Sequence, residues 1–225
     1  MPRSKKSTKK AIQDNPELFN LDGRLKTAPC VPKLRDAVEA WRASNYSCAT
    51  ATTKYLLNYW FRNDHRLADG TKFAYHKESQ QKAIETLIYI YEVEKIRSWK
   101  TLVETYAPKG LLGERLPQED DFARYCIKMA TGSGKTKVMS LAVAWHFFNA
   151  LNENDQEYAR RFLLIAPNVI VLERLRTDFG GGRLFKTDPL VPFEFKPMLT
   201  ELQFYMRGDS HKVLSEGEFY LTNIQ

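Results

Sequence analysis

The amino-acid sequence predicts an α/β protein in which a mostly helical N-terminal region precedes a parallel sheet with flanking helices. In the first half, apolar residues recur at spacings of three and four, which is the period of a helix. After about residue 120, short apolar segments alternate with helical ones, and this order favours a parallel sheet. A glycine-rich loop separates the first apolar segment from the next helix. The 225 residues suffice for one or two domains, and we expect divisions at 1–30, 31–115 and 116–225.

The formal charge of +7 is concentrated at the N-terminus. The first ten residues contain five basic side chains and no acidic one, so the rest of the chain is nearly balanced. Such a segment is typical of a disordered, solvated tail, and weak contact with nucleic acid is the alternative. We therefore interpret residues 1–30 as a basic tail and loop. The basic isoelectric point describes this tail more than a DNA-binding face.

The cysteines and histidines indicate neither a disulfide framework nor a zinc site. The three cysteines are an odd number without a C-x-x-C pair, and the four histidines are scattered along the chain. This cysteine usage is typical of the reducing cytoplasm. The sequence has no run of about 18 apolar residues and no apolar segment after its basic start. We therefore expect a cytoplasmic protein without a membrane span or a secretory signal.

Three stretches of the N-terminal region have helical periodicity. The first runs from Pro32 to Trp41, and the second, rich in aromatic residues, runs to about Phe61. We expect this aromatic helix to pack as core, with base stacking as the alternative. The third stripe predicts one long helix, or two helices broken near Glu94–Arg97, before Pro108–Gly110 stops it.

The second half contains four segments that read as strands and two that read as helices. Residues 161–167 are apolar without alternation, so we expect a strand that is buried on both faces. The three glycines at 180–182 predict a helix end and a turn; alternatively, they let Arg183 reach a phosphate. The other strands are expected at 122–129, 201–207 and 218–224, a helix at 134–151, and a helix or extended turn at 168–179.

The glycine-rich loop has the residue types that bind a polyphosphate. Gly132 and Gly134 leave room for phosphate beside the backbone and permit unusual dihedral angles. The following helix presents free N–H groups and the positive end of its dipole. Lys135 supplies positive charge for the β- and γ-phosphates, and the Thr136 hydroxyl ligates Mg²⁺. The predicted nucleotide site therefore comprises Thr131, Gly132, Ser133, Gly134, Lys135 and Thr136, of which Lys135 and Thr136 are the catalytic candidates.

The usual pattern G-x-x-x-x-G-K-[ST] has glycine where this chain has Met129. That position only has to let the chain turn, so a non-glycine residue with an allowed φ is acceptable. The form "MATGSGKT" resembles motif I of superfamily 2 helicases and translocases of the DEAD/DEAH-box type, especially the motor subunits of type III and type I restriction enzymes. "SQQKAI" resembles their glutamine motif, which implies that Gln80, or alternatively Gln81, reads the adenine edge.

Two later segments resemble the same family, in the same order. "FLLIAPNVIVLERL" resembles motif Ia, which implies that Pro167 and Asn168 contact the nucleic-acid backbone. The alternative is a plain turn from strand to helix in which Asn168 is only a cap. "EFYLTNIQ" resembles motif Ib or Ic, which implies a phosphate contact from Thr222, with Asn223 beside it.

The resemblance implies a partial RecA-like first motor domain that uses ATP and Mg²⁺ and acts on double-stranded DNA. It also implies a DNA-stimulated ATP hydrolase, with restriction, modification or defence subunits as further partners. The acidic box D-E-x-[HD] does not occur among the 225 residues. We therefore expect an N-terminal fragment of a longer motor, which by itself hydrolyses ATP negligibly. The alternatives are a non-catalytic nucleotide- or partner-binding module and a P-loop phosphotransferase that acts on a small molecule.

Overall fold

The computed structural model describes residues 28–108, 122–153, 156–210 and 215–224. Most of the predicted basic tail lies outside these ranges. The described residues form two compact units, of which the first contains those up to Ala37 and those from Ile96 to Arg124. The second unit contains all the others, so the glutamine motif and the glycine-rich loop share one unit. No helix in the described ranges is long and apolar enough to cross a membrane.

The first two helices lie where the sequence predicts them. α1 spans Val31–Ala43 and α2 spans Ala51–Arg62. Trp41 on α1 is 5% exposed, and Leu56 and Trp60 on α2 are 0% and 1% exposed. The aromatic helix therefore packs as core, as expected.

A short hairpin and an irregular helix follow α2. The hairpin strands β1 (His65–Arg66) and β2 (Lys72–Phe73) pair antiparallel. The next helix runs from Lys77 to Val93, but only its centre, α3 (Lys82–Ile88), is α-helical. A π-helical turn stands at each end of α3, at Lys77–Gln81 and Tyr89–Val93. We refer to them as the first and the second π turn.

The long helical stripe is broken where the sequence allows a break. Lys95 has a left-handed φ of 51°, which ends the helix after the second π turn. Ser98 then caps α4 (Trp99–Tyr106), because its side chain accepts hydrogen bonds from the Lys100 and Thr101 N–H groups. Of the two predicted alternatives, the broken helix is the correct one.

The rest of the second unit is a three-stranded parallel sheet with helices. The strand order is β3-β5-β4, and both pairings are parallel. This order confirms the predicted α/β class with a parallel sheet. The elements are α5 (Lys135–Asn152), β3 (Arg161–Ala166), α6 (Val169–Phe179), a 3₁₀ turn (Gly180–Gly182), α7 (Arg183–Thr187), a 3₁₀ turn (Phe193–Phe195), α8 (Lys196–Leu199), β4 (Leu202–Met206) and β5 (Gly217–Asn223).

Aromatic side chains fill the space between one face of the sheet and the helices. The ring of Phe179 on α6 stacks on Phe219 of β5, with centroids 4.9 Å apart. Phe185 on α7 lies 5.1 Å from Phe204 of β4. Gly217 makes room for α5, since a Cβ there would lie 2.4 Å from the ring of Phe147. The core of the second unit lies on this face.

On the opposite face of the sheet, β3 is open to solvent among the described residues. Leu163 and Ile165 of β3 are 63% and 51% exposed. Tyr205 and Tyr220 stack on the same face, with centroids 5.2 Å apart. The expectation that residues 161–167 form a strand buried on both faces is therefore wrong. Their apolar character reflects a face that the described helices do not cover.

The segment 122–129 is not a strand, contrary to the sequence prediction. Phe122 and Ile127 are 63% and 41% exposed. Apolar composition favours a strand, but a strand exists only where a neighbour completes its hydrogen bonds. The central strand β5 pairs with β3 and β4, and no described segment pairs with residues 122–129.

Glu92, in the second π turn, joins three helices through its carboxylate. It is 8% exposed and accepts the Thr50 N–H and the Thr53 hydroxyl, each at 2.6 Å, at the start of α2. The indole Nε1 of Trp145 on α5 donates to the same carboxylate at 3.0 Å. A buried carboxylate is stable only when its oxygens are hydrogen-bonded. Glu92 therefore fixes the start of α2 against α5.

The turn at 180–182 offers a matched pair of substitutions. Gly181 and Gly182 have φ values of 57° and 72°, so alanine strains either position by about 1–2 kcal/mol. A Cβ on Gly182 would also lie 2.7 Å from the Phe204 ring, whereas one on Gly181 meets nothing within 4 Å. We expect Gly182→Ala to lower the free energy of unfolding by about 1–3 kcal/mol more than Gly181→Ala, as measured in urea. Equal losses would contradict the tight contact with Phe204.

Candidate nucleotide-binding site

The backbone of the glycine-rich loop turns through two left-handed residues. Gly132 and Gly134 have φ values of 80° and 86°, which glycine adopts without a steric penalty. The second of them is the N-cap of α5, a helix of 18 residues. The first N–H groups of such a helix have no partner within it, so they point towards any anion at the loop.

Lys135 lies across the loop rather than away from it. Its ammonium Nζ donates to the carbonyls of Met129 at 3.1 Å and of Ala130 at 2.9 Å. The Ser133 hydroxyl donates to the Ala130 carbonyl at 2.7 Å. Lys135 is exposed, so a phosphate oxygen can reach its ammonium and replace these carbonyls. A charge in this position serves a polyphosphate.

Met129 contributes its backbone carbonyl to the loop, not its side chain. It is not among the residues with a positive φ, so its conformation is one that any residue adopts. The departure from the usual glycine therefore leaves the loop geometry intact, as the sequence suggests. Thr136, in the first turn of α5, is half-buried beside Lys135. Thr131 is exposed at the tip of the loop.

Gln80 packs directly on the glycine-rich loop, although 53 residues separate it from Ser133. Its Nε2 donates to the Ser133 carbonyl at 3.1 Å, and its Oε1 accepts the His76 N–H at 3.0 Å. The hydroxyl of Ser79 donates to the same Ser133 carbonyl at 3.4 Å. A Cβ on Gly134 would lie only 2.0 Å from Nε2 of Gln80. The glutamine segment thus covers one side of the loop.

The structure separates the two glutamines that the sequence left as alternatives. Gln81 is 7% exposed and donates through Nε2 to the Glu85 carboxylate at 2.7 Å. Gln80 is the half-exposed one and faces the loop. Of the two, Gln80 can therefore meet a nucleotide, while contact with adenine stays a prediction.

The first π turn aims these side chains. The His76 carbonyl accepts from both the Gln80 N–H at 2.9 Å and the Gln81 N–H at 3.1 Å. A π turn holds one residue more than an α-helical turn, which rotates the side chains that follow. Such turns are frequent at functional sites. The periodicity of the sequence does not show this turn.

The predicted motif Ia and motif Ib residues meet at the carboxyl edge of the sheet. Asn168 caps α6, because its Oδ1 accepts the Val171 N–H at 2.9 Å. Thr222 pairs with Ile165 in the register of β5 and β3. Pro167 and Asn168 follow the end of β3 directly and are exposed, and Thr222 is half-buried. A ligand at this edge can reach both strand ends.

Arg183 is not brought to that edge. It begins α7 after α6, whose 11 residues span about 16 Å, and Asn168 stands at the other end of α6. The guanidinium Nη1 of Arg183 donates to the Thr177 carbonyl at 3.4 Å. Its predicted phosphate contact has no support in this arrangement.

The structure also shows polar groups that the sequence reasoning missed. Arg207, which follows β4, donates to the Oδ1 of Asn223 at the carboxyl edge. Near the start of α5, Lys137 pairs with Asp188, and its ammonium lies 5.7 Å from the centre of the Phe73 ring. The partners in each pair are far apart in sequence and follow no spacing rule. The one signal in the sequence was the position of Arg207 at the end of a predicted strand, which indicates a basic group at the edge of the sheet.

One family matches the chain. It is described as type III restriction enzyme, res subunit, and it covers residues 75–225, two thirds of the chain. The match begins before Gln80 and includes the loop and all three strands of the parallel sheet. No curated protein and no solved structure matches the chain.

The contact between Gln80 and the loop can be tested with two glycines of similar φ. Gly132→Ala adds a Cβ that meets nothing within 4 Å, whereas the Cβ of Gly134→Ala displaces the Gln80 amide. The amide can swing away, so we expect an excess destabilisation of about 1 kcal/mol, the value of one hydrogen bond. In the double variant Gly134→Ala/Gln80→Ala the excess should vanish. Additive losses in urea unfolding would contradict the contact.

Proposed function

Because the chain belongs to the family of type III restriction enzyme res subunits, we propose that it is the ATP-binding part of a DNA translocase or helicase of the restriction type. The family is one of helicase-like ATP-binding motors. The observation that carries the proposal is the contact of Gln80 with the loop at Ser133. Helicase-type sites combine a glutamine segment with the phosphate loop, and a kinase of small molecules has no need of one.

The loop would hold the triphosphate of ATP. The N–H groups at the start of α5 and the Lys135 ammonium would bind the β- and γ-phosphates, and the ammonium would leave the carbonyls of Met129 and Ala130. The Thr136 hydroxyl would ligate Mg²⁺, which neutralises phosphate charge when bound. Gln80 would turn its amide from the His76 N–H towards the adenine edge. Gly132 and Gly134 keep side chains out of this space.

Nucleic acid would bind at the carboxyl edge of the sheet. Asn168 and the N-terminus of α6 can donate to one phosphate, and the Thr222 hydroxyl can donate to another. Ligands of open α/β sheets bind at this edge. We infer that the nucleic acid is double-stranded DNA and that nucleotide turnover moves the protein along it. We also propose a role in defence against foreign DNA, with restriction or modification subunits as partners, and this part rests only on the resemblance to the family.

The lysine of the loop is the first residue to test. We expect Lys135→Ala to lower the affinity for a fluorescent ATP analogue at least about 100-fold, because a charge-assisted contact to phosphate is lost. When the natural protein carries this substitution, its DNA-stimulated ATP hydrolysis should disappear while its melting temperature stays unchanged. Lys54→Ala, on α2, removes the same charge outside the loop and serves as the control.

The outcome also separates the rival functions. ATP hydrolysis that ignores duplex DNA would contradict the translocase and favour a phosphotransferase of a small molecule. Binding of the ATP analogue that does not depend on Lys135 would favour a module that binds a partner without catalysis.

Asn168 allows the phosphate contact to be separated from the helix cap. Asn168→Asp keeps a capping oxygen but removes the amide donor and adds a negative charge. We expect its free energy of unfolding to change by less than about 0.5 kcal/mol. Its affinity for duplex DNA should fall about fivefold, which corresponds to a repulsion of about 1 kcal/mol. Titrations at two salt concentrations measure this.

Asn168→Ser is the matched control, since it also caps the helix but adds no charge. It should weaken DNA binding less than Asn168→Asp does. Unchanged DNA affinity in both variants would leave Asn168 as a cap only and contradict the proposed contact.

A further inference from the structure

The carboxylate of Glu85 is the most enclosed charged group near the glutamine motif. It lies on α3, four residues after Gln81, and is 0% exposed. Two guanidinium nitrogens of Arg42 donate to the Glu85 carboxylate. Nε lies 3.0 Å and 2.9 Å from the two carboxylate oxygens, and Nη2 also donates. The Tyr46 hydroxyl donates to Oε1 at 2.8 Å, and Gln81 Nε2 donates to Oε1 at 2.7 Å.

These donors make the buried charge stable. An isolated carboxylate would not remain ionised in an apolar interior, whereas a two-pronged arginine contact with further donors compensates its desolvation. Burial and the nearby Glu85 charge raise the pKa of Tyr46, so its phenol stays protonated and keeps donating. Removal of one partner would leave the others buried and unsatisfied. The group therefore holds its surroundings in one arrangement.

The arrangement fixes the position of the glutamine motif. Gln81 is held by Glu85, and its neighbour Gln80 lies on the loop. Lys82 adds a second link to α1, since its ammonium lies 3.6 Å from Glu39. Thus α1 contacts α3 just after the first π turn, which aims Gln80. A shift of α3 would move Gln80 relative to the loop.

Arg42 and Tyr46, which hold Glu85, lie outside the part of the chain that matches the family. The match begins at residue 75, whereas Arg42 is on α1 and Tyr46 is in the turn that follows. Both belong to the same compact unit as the loop. Tyr46 has a left-handed φ of 58°, an uncommon conformation for a bulky residue. Its hydrogen bond to Glu85 is one of the contacts that hold it there.

We propose that Arg42, Tyr46 and Glu85 are positioning residues for Gln80 and that they set the preference of the nucleotide site for adenine. This inference rests on the proposed function, in which Gln80 reads the adenine edge. The Gln80 amide can distinguish adenine from guanine only if it is held in place. A misplaced amide pairs equally poorly with the edges of both bases. The grip on the phosphates depends on Lys135 and does not need this anchor.

The experiment compares the affinities for ATP, GTP and inorganic tripolyphosphate, together with the melting temperature. The full chain carries Arg42→Met, Arg42→Lys, Tyr46→Phe or Gln80→Ala. We expect Arg42→Met to lower the ratio of ATP to GTP affinity about tenfold and Tyr46→Phe about threefold, the size of one or two net hydrogen bonds. The affinity for tripolyphosphate should stay within about twofold. Arg42→Lys should restore part of the ratio, since it keeps the charge but loses the planar fork.

Controls separate this inference from the proposed function. Arg66→Ala, in the β1 hairpin, removes an arginine from the same unit and should leave all three affinities unchanged. If Gln80→Ala leaves the ratio unchanged, the proposed adenine contact fails. If Gln80→Ala lowers the ratio but Tyr46→Phe and Arg42→Met do not, the positioning role is overturned. Should Arg42→Met fail to fold, Tyr46→Phe decides alone, because it deletes one hydroxyl and keeps the ring.

Discussion

A buried carboxylate must be hydrogen-bonded by its surroundings, and the helix from Lys77 to Val93 carries two of them. Glu85 is held by Arg42 from α1, and Glu92 is held by the start of α2 and by Trp145 from α5. Each carboxylate has to find its donors in elements distant in sequence, so the helix is fixed against three other helices. The glutamine motif lies at the beginning of this helix, so its position is fixed as well. The nucleotide site therefore depends on polar contacts in the interior as well as on its own loop.

The two sides of the candidate nucleotide site differ in how firmly they are held. On the base side, Gln80 stands on a helix that is fixed through buried side chains. On the phosphate side, the loop is held by the start of α5 and by the contacts of Gln80 and Ser79 with the Ser133 carbonyl. No described strand pairs with residues 122–129 before it. The hydrogen bonds from Lys135 to Met129 and Ala130 close the loop on itself. The loop therefore holds its shape through internal contacts that a phosphate can replace one by one.

Local patterns in the sequence predict those parts of the fold that local physics decides. Helical periodicity predicts α1, α2, α5 and α6, and the residue types around Gly134 predict the turn into α5. Sequence patterns gave wrong predictions where the structure of a segment depends on its contacts with other segments. Residues 122–129 have the composition of a strand but no described strand to pair with, and β3 lacks alternation although one of its faces is exposed. The choice between Gln80 and Gln81 depends on a π turn that leaves no trace in composition. The contacts that link Glu85 and Glu92 to other helices and turns join residues 39 to 53 positions apart, which no spacing rule covers.

The loop illustrates why a sequence pattern can tolerate an exception without losing its meaning. The positions that require glycine are Gly132 and Gly134, whose φ values are left-handed, and at Gly134 any side chain would also meet Gln80. Met129 serves the loop through a carbonyl, which every residue has. The pattern therefore reflects backbone angles and free space. A position requires glycine only where its φ is left-handed or where a Cβ has no room. Met129 lies outside both constraints, so the loop keeps its shape with methionine in that place.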